Sequence, residues 1–138
     1  MATIVLGYDA SPGAERALDT ALDVATHFGD RLLIAFGAAP PGHPTEESRA
    51  HHEALQELGA RVTAGALTRA RDAGVEAEVE LVPKRPSAAL TELAEREEAR
   101  MIVVGTYGES PIKGAILGST PHKLLHLSDR LVLVVPGG

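Results

Sequence analysis

The chain of 138 residues contains no cysteine and no tryptophan, and only two tyrosines and two phenylalanines. Without cysteine it has no disulfide, no thiol nucleophile and no thiolate ligand for a zinc site. Because aromatic residues are so few, the hydrophobic core must be built from alanine, valine, leucine and isoleucine. We expect a single domain over residues 1–138.

Basic residues are outnumbered: 13 lysines and arginines stand against 19 aspartates and glutamates, for a net charge of −6. Nucleic-acid-binding proteins normally present a basic face, so this charge argues against DNA or RNA as a partner. Long apolar runs are absent too, and no run approaches the ~20 residues that a membrane-spanning helix needs. The N-terminus lacks the basic segment of a secretion signal. These absences predict a cytoplasmic protein without a membrane partner.

Short apolar runs alternate with segments of helical periodicity along the whole chain. Strands are predicted at 3–8, 31–36, 75–82, 101–104 and 131–135, and helices at 11–28, 46–72, 87–98 and 119–127. This alternation of helices with largely apolar strands, of which only the third alternates with polar residues, predicts the α/β class: an open parallel five-stranded sheet with helices on both faces.

Helix ends and inward faces follow from residue type and spacing. Ser11 and Ser87 are predicted N-caps, and Gly29 is predicted to end the first helix. The inward faces are predicted as Ala14, Ala17, Leu18, Ala21, Leu22, Ala25 and Phe28 in the first helix, Leu55, Leu58, Val62 and Ala66 in the second, and Leu90, Leu93 and Ala94 in the third.

A glycine-rich segment joins the fourth strand to the last helix. It reads Gly105-Thr-Tyr-Gly108, nine intervening residues, and then Gly118-Ser119-Thr120. Glycine lets backbone N–H groups approach a ligand closely, and the start of a helix favours an anion. A strand, a glycine loop and a helix start, in that order, predict a cradle for phosphate.

Asp9 follows the first strand as Gly105 follows the fourth. Parallel strands end at a common edge, and open α/β sheets bind their ligands there. We therefore expect Asp9 and the glycine segment to share one edge of the sheet.

Three familiar nucleotide or phosphate motifs do not fit the chain. The segment from Gly105 to Gly108 lacks the Gly-x-Gly-x-x-Gly spacing of a Rossmann fingerprint. The segment from Gly114 to Ser119 has three residues between its glycines instead of four, and no lysine, so it is not a Walker loop. The third strand ends in Val-Pro-Lys rather than in the aspartate of a phosphoacceptor domain.

Catalytic and metal-binding signatures are also missing from the sequence. His122 and His126 share a helix face and His51 adjoins His52, but no carboxylate stands at metalloprotease spacing, so we predict no metal site. No serine has histidine and aspartate partners at a recognisable spacing. The chain is predicted not to be an enzyme, beyond slow ATP hydrolysis, since no residue is placed to orient water.

The pattern Gly-x-x-Gly-x9-Gly-Ser/Thr, formed by Gly105, Gly108, Gly118 and Ser119, resembles the nucleotide-binding branch of the universal stress protein family. Similarity to that family continues at residues 4–11, 101–106, 117–125 and 131–136. The resemblance implies a Rossmann-like fold of the adenine nucleotide α-hydrolase type, with strand order 3-2-1-4-5. It also implies an ATP-binding stress-response or signalling module, with Mg²⁺ as a possible companion of ATP.

The resemblance also implies a set of binding residues. By position, Asp9 and the backbone of Gly7, Tyr8 and Gly37 would meet adenine and ribose, Val104 and Gly105 would line the ribose side, and Gly108, Gly118, Ser119 and Thr120 would hold the phosphates. Lys113, inside the nine-residue segment, is a candidate cation for the phosphates.

Departures from the family pattern keep a rival hypothesis open. Tyr107 stands where the family often has a basic residue, and Pro121 removes one N–H from the first turn of the last helix. The rival is a dimeric scaffold of the same fold with little nucleotide affinity, and a slow ATPase is a second alternative. In either case the apolar, uncharged segment 131–135 at the sheet edge predicts a homodimer formed through the last strand.

Overall fold

The computed structural model describes residues 1–37, 46–106 and 119–137. Gly108, Lys113 and Gly118 of the predicted site lie outside these residues. The strands are β1 (Thr3–Gly7), β2 (Arg31–Gly37), β3 (Ala77–Val82), β4 (Met101–Gly105) and β5 (Leu131–Val135), and the helices are α1 (Pro12–Phe28), α2 (Glu46–Asp72), α3 (Pro86–Arg96) and α4 (Ser119–Leu127). All four strand pairings are parallel and the order is β3-β2-β1-β4-β5, which confirms the predicted fold class and strand order.

The two faces of the sheet carry separate apolar clusters. Ile4 and Leu6 of β1 pack with α1 and α2, whereas Val5, between them, packs with α3 and α4. Successive side chains of a strand point to opposite faces, so a strand that is apolar throughout requires a helical layer on each side. The predicted two-sided arrangement is therefore confirmed.

The first helix begins and ends as its sequence predicts. Ser11 Oγ accepts a hydrogen bond of 3.2 Å from the N–H of Ala14, and Pro12 occupies the first helical position. Gly29 ends the helix with a left-handed φ of 70°. The prediction for Phe28 is wrong, because this residue is 50% exposed at the end of α1.

The predicted cap of α3 is also wrong. Arg85 occupies the N-cap position without a side-chain bond, Pro86 is the first helical residue, and Ser87 is buried inside the first turn. Proline is pre-organised for the first position of a helix, so the helix starts before Ser87. Glu98, with φ of 48°, lies beyond the helix end at Arg96.

The inward face of α2 agrees with the prediction at Val62 and Ala66 but not at Leu58. Leu58 is 44% exposed, whereas Gly59 is buried so tightly that a Cβ there would lie 2.9 Å from the side chains of Phe36 and Leu81. Further along, Thr63, Ala66 and Ala70 are buried. The helix thus turns its small residues to the sheet, which lets it pack closely. The side chain of Leu55 lies outside the described part of the chain.

Strand β3 begins later than predicted. The N–H of Val75 donates to Ala70 O (2.9 Å) after Gly74 has turned the chain at φ 75°, so Val75 lies in the turn that follows α2. Pairing with β2 starts at Ala77. The buried side chain of Val75 completes the cluster beneath α1 and α2.

Candidate functional site

The turn after β1 places Asp9 at the carboxyl edge of the sheet. The N–H of Tyr8 donates to Ala35 O of β2 at 3.0 Å, which extends the sheet by one residue. Asp9 Oδ1 accepts a hydrogen bond of 3.0 Å from the N–H of Ser11, and Ala10 between them has a left-handed φ of 63°. Side chains rarely adopt this conformation, so the surrounding contacts must impose it.

Asp9 therefore has a structural role before any ligand is considered. A carboxylate has two oxygens and accepts several hydrogen bonds, so ordering the turn is compatible with a ligand contact. The side chain is of intermediate exposure and lies just before the N-terminus of α1. Hydroxyl or amine groups of a ligand are suitable donors to it.

The strand order places this turn where ligands are expected. The chain moves from β1 outward to β2 and β3, then crosses back to β4 on the other side of β1. Such a reversal opens a crevice at the carboxyl ends of the two strands. Gly105 ends β4 and Gly37 ends β2, so the predicted positions Gly7, Tyr8, Asp9, Gly37 and Gly105 share one edge.

The glycines at this edge are required by packing. A Cβ at Gly105 would lie 2.6 Å from Gly13 O, because the end of β4 touches the first turn of α1. A Cβ at Gly37 would lie 3.0 Å from both Lys84 O and Pro86 Cα. These are backbone atoms or the start of α3, which cannot move aside easily. Close packing thus explains residues that the sequence pattern associates with a ligand.

Gly7 and Val104 lie in contact at the carboxyl ends of β1 and β4. A Cβ at Gly7 would approach Leu90 Cδ1 at 2.9 Å and Val104 Cγ1 at 3.1 Å. The side chain of Val104 is buried in the cluster beneath α3 and α4. Any ligand contact from Val104 would therefore come from its main chain.

Thr106, the first residue after β4, was not singled out in the sequence pattern. Its hydroxyl donates to Val135 O at 2.9 Å and joins the ends of β4 and β5. Its place inside the Gly-x-x-Gly motif was the available signal, but the partner lies 29 residues away and is not visible from local spacing.

The start of α4 is predicted to form the other side of the phosphate cradle. The helix begins at Ser119, so Ser119 and Thr120 belong to its first turn, where backbone N–H groups and the helix dipole favour an anion. Pro121 is buried, and Leu124 is fully buried against the sheet. Gly108, Lys113, Gly118 and the side chain of Ser119 are outside the described residues. The assignments of Gly108, Gly118 and Ser119 rest on the motif, and that of Lys113 rests on its charge and its place inside the nine-residue segment.

The two histidines of α4 lie side by side. The ring centroids of His122 and His126 are 5.0 Å apart, as expected for residues four apart on a helix. Among residues 1–37, 46–106 and 119–137, no group of three or more histidine and acidic side chains is arranged to hold a metal.

A second polar cluster begins next to Asp9. The hydroxyl of Tyr8 donates to Glu15 Oε1, and Glu15 Oε2 accepts from Arg69 of α2 at 2.5 Å. Arg69 also pairs with Asp19 of α1. Burial, followed by the bond to Glu15, raises the pKa of Tyr8, so the phenol remains a donor. Sequence reasoning missed this cluster, since 54 residues separate Glu15 from Arg69.

Fold and site together define a class: an open parallel α/β domain with an acidic turn at the crevice where strand order reverses. Residues 1–136 match the model of the universal stress protein family, and the chain belongs to that family. Universal stress protein Rv1636 of Mycobacterium tuberculosis is 34% identical, over 96% of this chain and 94% of that protein.

Solved structures agree with this assignment. A universal stress protein in complex with cAMP is 34% identical and superposes with a TM-score of 0.77, covering 97% of this chain and 96% of that one. The hypothetical protein MJ0577 superposes with a TM-score of 0.87 at 21% identity, over 99% of this chain and 96% of that one, and shares the fold.

None of the helices in the described part of the chain is both long enough and apolar enough to cross a bilayer.

Proposed function

We propose that this chain is an ATP-binding universal stress protein that acts as a nucleotide-dependent stress-response or signalling module. The observation that carries the proposal is the placement of Asp9, Gly37 and Gly105 at the carboxyl ends of β1, β2 and β4, where the strand order reverses. The 34% identical relative in complex with cAMP supports an adenine nucleotide as the ligand class.

Each part of the ligand has a suitable partner at this edge. Asp9 accepts from the ribose hydroxyls or the adenine amine, and the first turn of α4 holds the phosphates through its backbone dipole. The chain carries a net charge of −6, so local dipoles, with Lys113 as the proposed cation, must attract the phosphates. The role of Gly108, Gly118, Ser119 and Thr120 in this cradle is part of the proposal.

The first test asks which nucleotide the purified protein holds. Denaturation followed by identification of any released nucleotide separates a nucleotide-binding module from an empty scaffold. Calorimetric titration with ATP, AMP and cAMP, with and without Mg²⁺, then ranks the ligands. Rapid ADP formation in a single-turnover assay would favour an ATPase over a binding module.

The second test compares two substitutions of Asp9. Asp9→Ala removes both the charge and the acceptor for the Ser11 N–H, whereas Asp9→Asn keeps an acceptor oxygen for that bond. We expect Asp9→Ala to weaken nucleotide binding about tenfold or more, equivalent to one lost charge-assisted hydrogen bond. Asp9→Asn should weaken it less and leave the unfolding free energy near wild type.

The matched control is Asp23→Asn, which neutralises an exposed carboxylate elsewhere on α1. Its nucleotide affinity should equal that of wild type. Equal affinity of wild type and Asp9→Ala would contradict the assigned site, and absence of millimolar binding by wild type would favour the scaffold.

The proposal includes a homodimer formed through the last strand. β5 lies at the edge of the sheet, and its first residue, Leu131, is 69% exposed. Leu131→Lys places a charge on this apolar edge, which opposes strand pairing. We expect a dimer of the wild type and a monomer of the variant in light scattering at micromolar concentration. Leu58→Lys on α2 is the control and should stay dimeric; a monomeric wild type would contradict the dimer.

A further inference from the structure

Tyr8 is bound on two sides. Its N–H donates to Ala35 O of β2, and the residue, 6% exposed, packs in the apolar cluster beneath α1 and α2. Its hydroxyl donates to Glu15 in the first turn of α1. Tyr8 immediately precedes Asp9, so the position of this ring determines where the turn leaves the sheet.

Arg69 holds the acceptor of Tyr8 in place. Its guanidinium contacts two carboxylates of α1, Glu15 at 2.5 Å and Asp19 one helical turn further on. A planar guanidinium with several fixed donors is suited to orienting carboxylates. Arg69, Glu15 and Tyr8 therefore form one polar chain that links α2, α1 and the end of β1.

The Asp9 turn, which these contacts support, is strained. Ala10 has φ of 63°, which an alanine adopts only when neighbouring contacts outweigh the steric cost. Contacts on both sides of Ala10 are visible: Tyr8 is held by Glu15, and Ser11 is held by Asp9 and by its capping bond to Ala14. Loss of the Tyr8 anchor would release the amino side of the strained turn.

We propose that Arg69 is a positioning residue for the nucleotide site, and that it orients the Asp9 turn through Glu15 and Tyr8. The inference rests on the proposed function and adds to it a residue of α2 that lies outside the family motif. Nucleotide occupancy at Asp9 and the position of α2 are then coupled through the same contacts.

A purely structural ion pair would behave differently. The side chains of Arg69 and Glu15 are 38% and 40% exposed, and exposed ion pairs contribute little to stability. The chain offers a matched comparison: Arg96 also contacts two carboxylates, Glu80 and Glu97, with 50% of its side chain exposed. That cluster joins α3 to β3 and makes no contact with the β1–α1 turn through these bonds.

The experiment uses full-length protein and the variants Tyr8→Phe, Arg69→Ala, their double mutant and Arg96→Ala. Amide hydrogen exchange of residues 8–14 is measured without nucleotide, and cAMP and ATP affinities are measured by titration. Tyr8→Phe keeps the packed ring and removes only the hydroxyl, so it remains folded.

We expect exchange of the 8–14 amides to rise about tenfold in Tyr8→Phe and Arg69→Ala, and nucleotide affinity to fall about fivefold, as for a lost hydrogen bond. Both changes interrupt the same series of contacts, Arg69 to Glu15 to Tyr8, so the double mutant should resemble the single variants. Arg96→Ala should match wild type in both measurements.

The outcomes separate the two hypotheses. Unchanged exchange in both variants, or equal changes in Arg96→Ala, would overturn the positioning role of Arg69 even if nucleotide binds. Failure of the wild type to bind any adenine nucleotide would overturn the proposed function and, with it, the role of Arg69 in binding. Additive effects in the double mutant would show that Tyr8 and Arg69 act independently, which contradicts one connected series of contacts.

Discussion

The amino ends and the carboxyl ends of the parallel strands, here the amino edge and the carboxyl edge of the sheet, each carry an aspartate, but the two carboxylates differ in burial and in partners. At the amino edge, the carboxylate of Asp30 is 1% exposed and is held by Arg100 Nε at 2.5 Å and by the N–H of Ala2 at 3.1 Å. At the carboxyl edge, Asp9 is partly exposed and has a backbone N–H of its own turn as a partner.

The difference indicates what each edge does. The Arg100 guanidinium also stacks 4.1 Å from the ring centroid of Phe28, which explains how α1 tolerates this exposed aromatic residue. Arg100 therefore has two partners near the starts of the strands, the carboxylate of Asp30 and the ring of Phe28. Hydrogen bonds at the amino edge thus join the starts of β1, β2 and β4. At the carboxyl edge, Asp9 stays partly exposed, as the proposed nucleotide contact requires.

The largest expected effect comes from Gly105→Ala at the carboxyl edge. The added Cβ would lie 2.6 Å from Gly13 O, and the backbone there cannot move without shifting α1. We expect a loss of about 3 kcal/mol in unfolding free energy, the upper part of the range for overpacking. Denaturant unfolding measures this loss.

Gly65→Ala is the control for that substitution. No atom lies within 4 Å of a Cβ at Gly65 in α2, so alanine should stabilise the helix by about 0.5–1 kcal/mol. If Gly105→Ala were as stable as wild type, the carboxyl edge would be looser than its packing indicates.

Asp30→Asn tests the amino edge. It removes the charge from a buried, hydrogen-bonded carboxylate, and we expect a loss of about 2 kcal/mol, with Asp23→Asn as an exposed control. Nucleotide affinity should not change, because Asp30 lies at the amino edge of the sheet and the proposed site at the carboxyl edge. A large loss of affinity in Asp30→Asn would break the contrast between the edges.

The same substitution predicts a pH dependence. The hydrogen bond from Arg100 holds the pKa of Asp30 below its ordinary value of 3.8, although burial opposes this shift. A carboxyl with a lowered pKa contributes its full stability above the ordinary value and loses it as the pH falls toward the folded value. The difference between wild type and Asp30→Asn should therefore be constant near neutrality and shrink below about pH 4.

The smallest effects concern the two strained residues, one near each edge. Ala10 has φ of 63° in the Asp9 turn, and Glu98 has φ of 48° shortly before β4. Glycine removes the steric cost of this conformation, and this gain exceeds the entropy that glycine adds to the unfolded chain. Each substitution should therefore stabilise the folded protein by about 0.5 kcal/mol. Only Ala10→Gly should also weaken nucleotide binding, since it loosens the turn; equal affinities in both variants would show that the strain is incidental.

Much of the fold was predictable from local patterns. The start of α1 at Ser11 and Pro12, its end at Gly29, and the apolar strands were all predicted and confirmed. The errors arose where tertiary contacts overruled a local pattern. Leu58 has the spacing of an inward residue, but Gly59 allows the helix to approach Phe36 and takes that place.

The candidate site was predictable only in part. Residue order placed Asp9 and Gly105 at the ends of two strands, and parallel pairing brought them to one edge. Two long-range contacts near these residues were not predictable. Gly13 packs against Gly105, and Arg69 bonds to Glu15, which accepts from Tyr8. The assignments of Gly108 and Gly118 remain predictions from the motif, and that of Lys113 remains a prediction from its charge and its place inside the nine-residue segment.

The amino-acid sequence by itself determined the alternation of strands and helices, the capping of α1 and the acidic turn after β1, because each depends on residues within a few positions of one another. Only the tertiary structure decided that Asp30 is clasped by Arg100, 70 residues away, and that Arg69 reaches Glu15 across 54 residues. Such contacts depend on the path of the whole chain, which brings distant side chains together once the helices pack on the sheet.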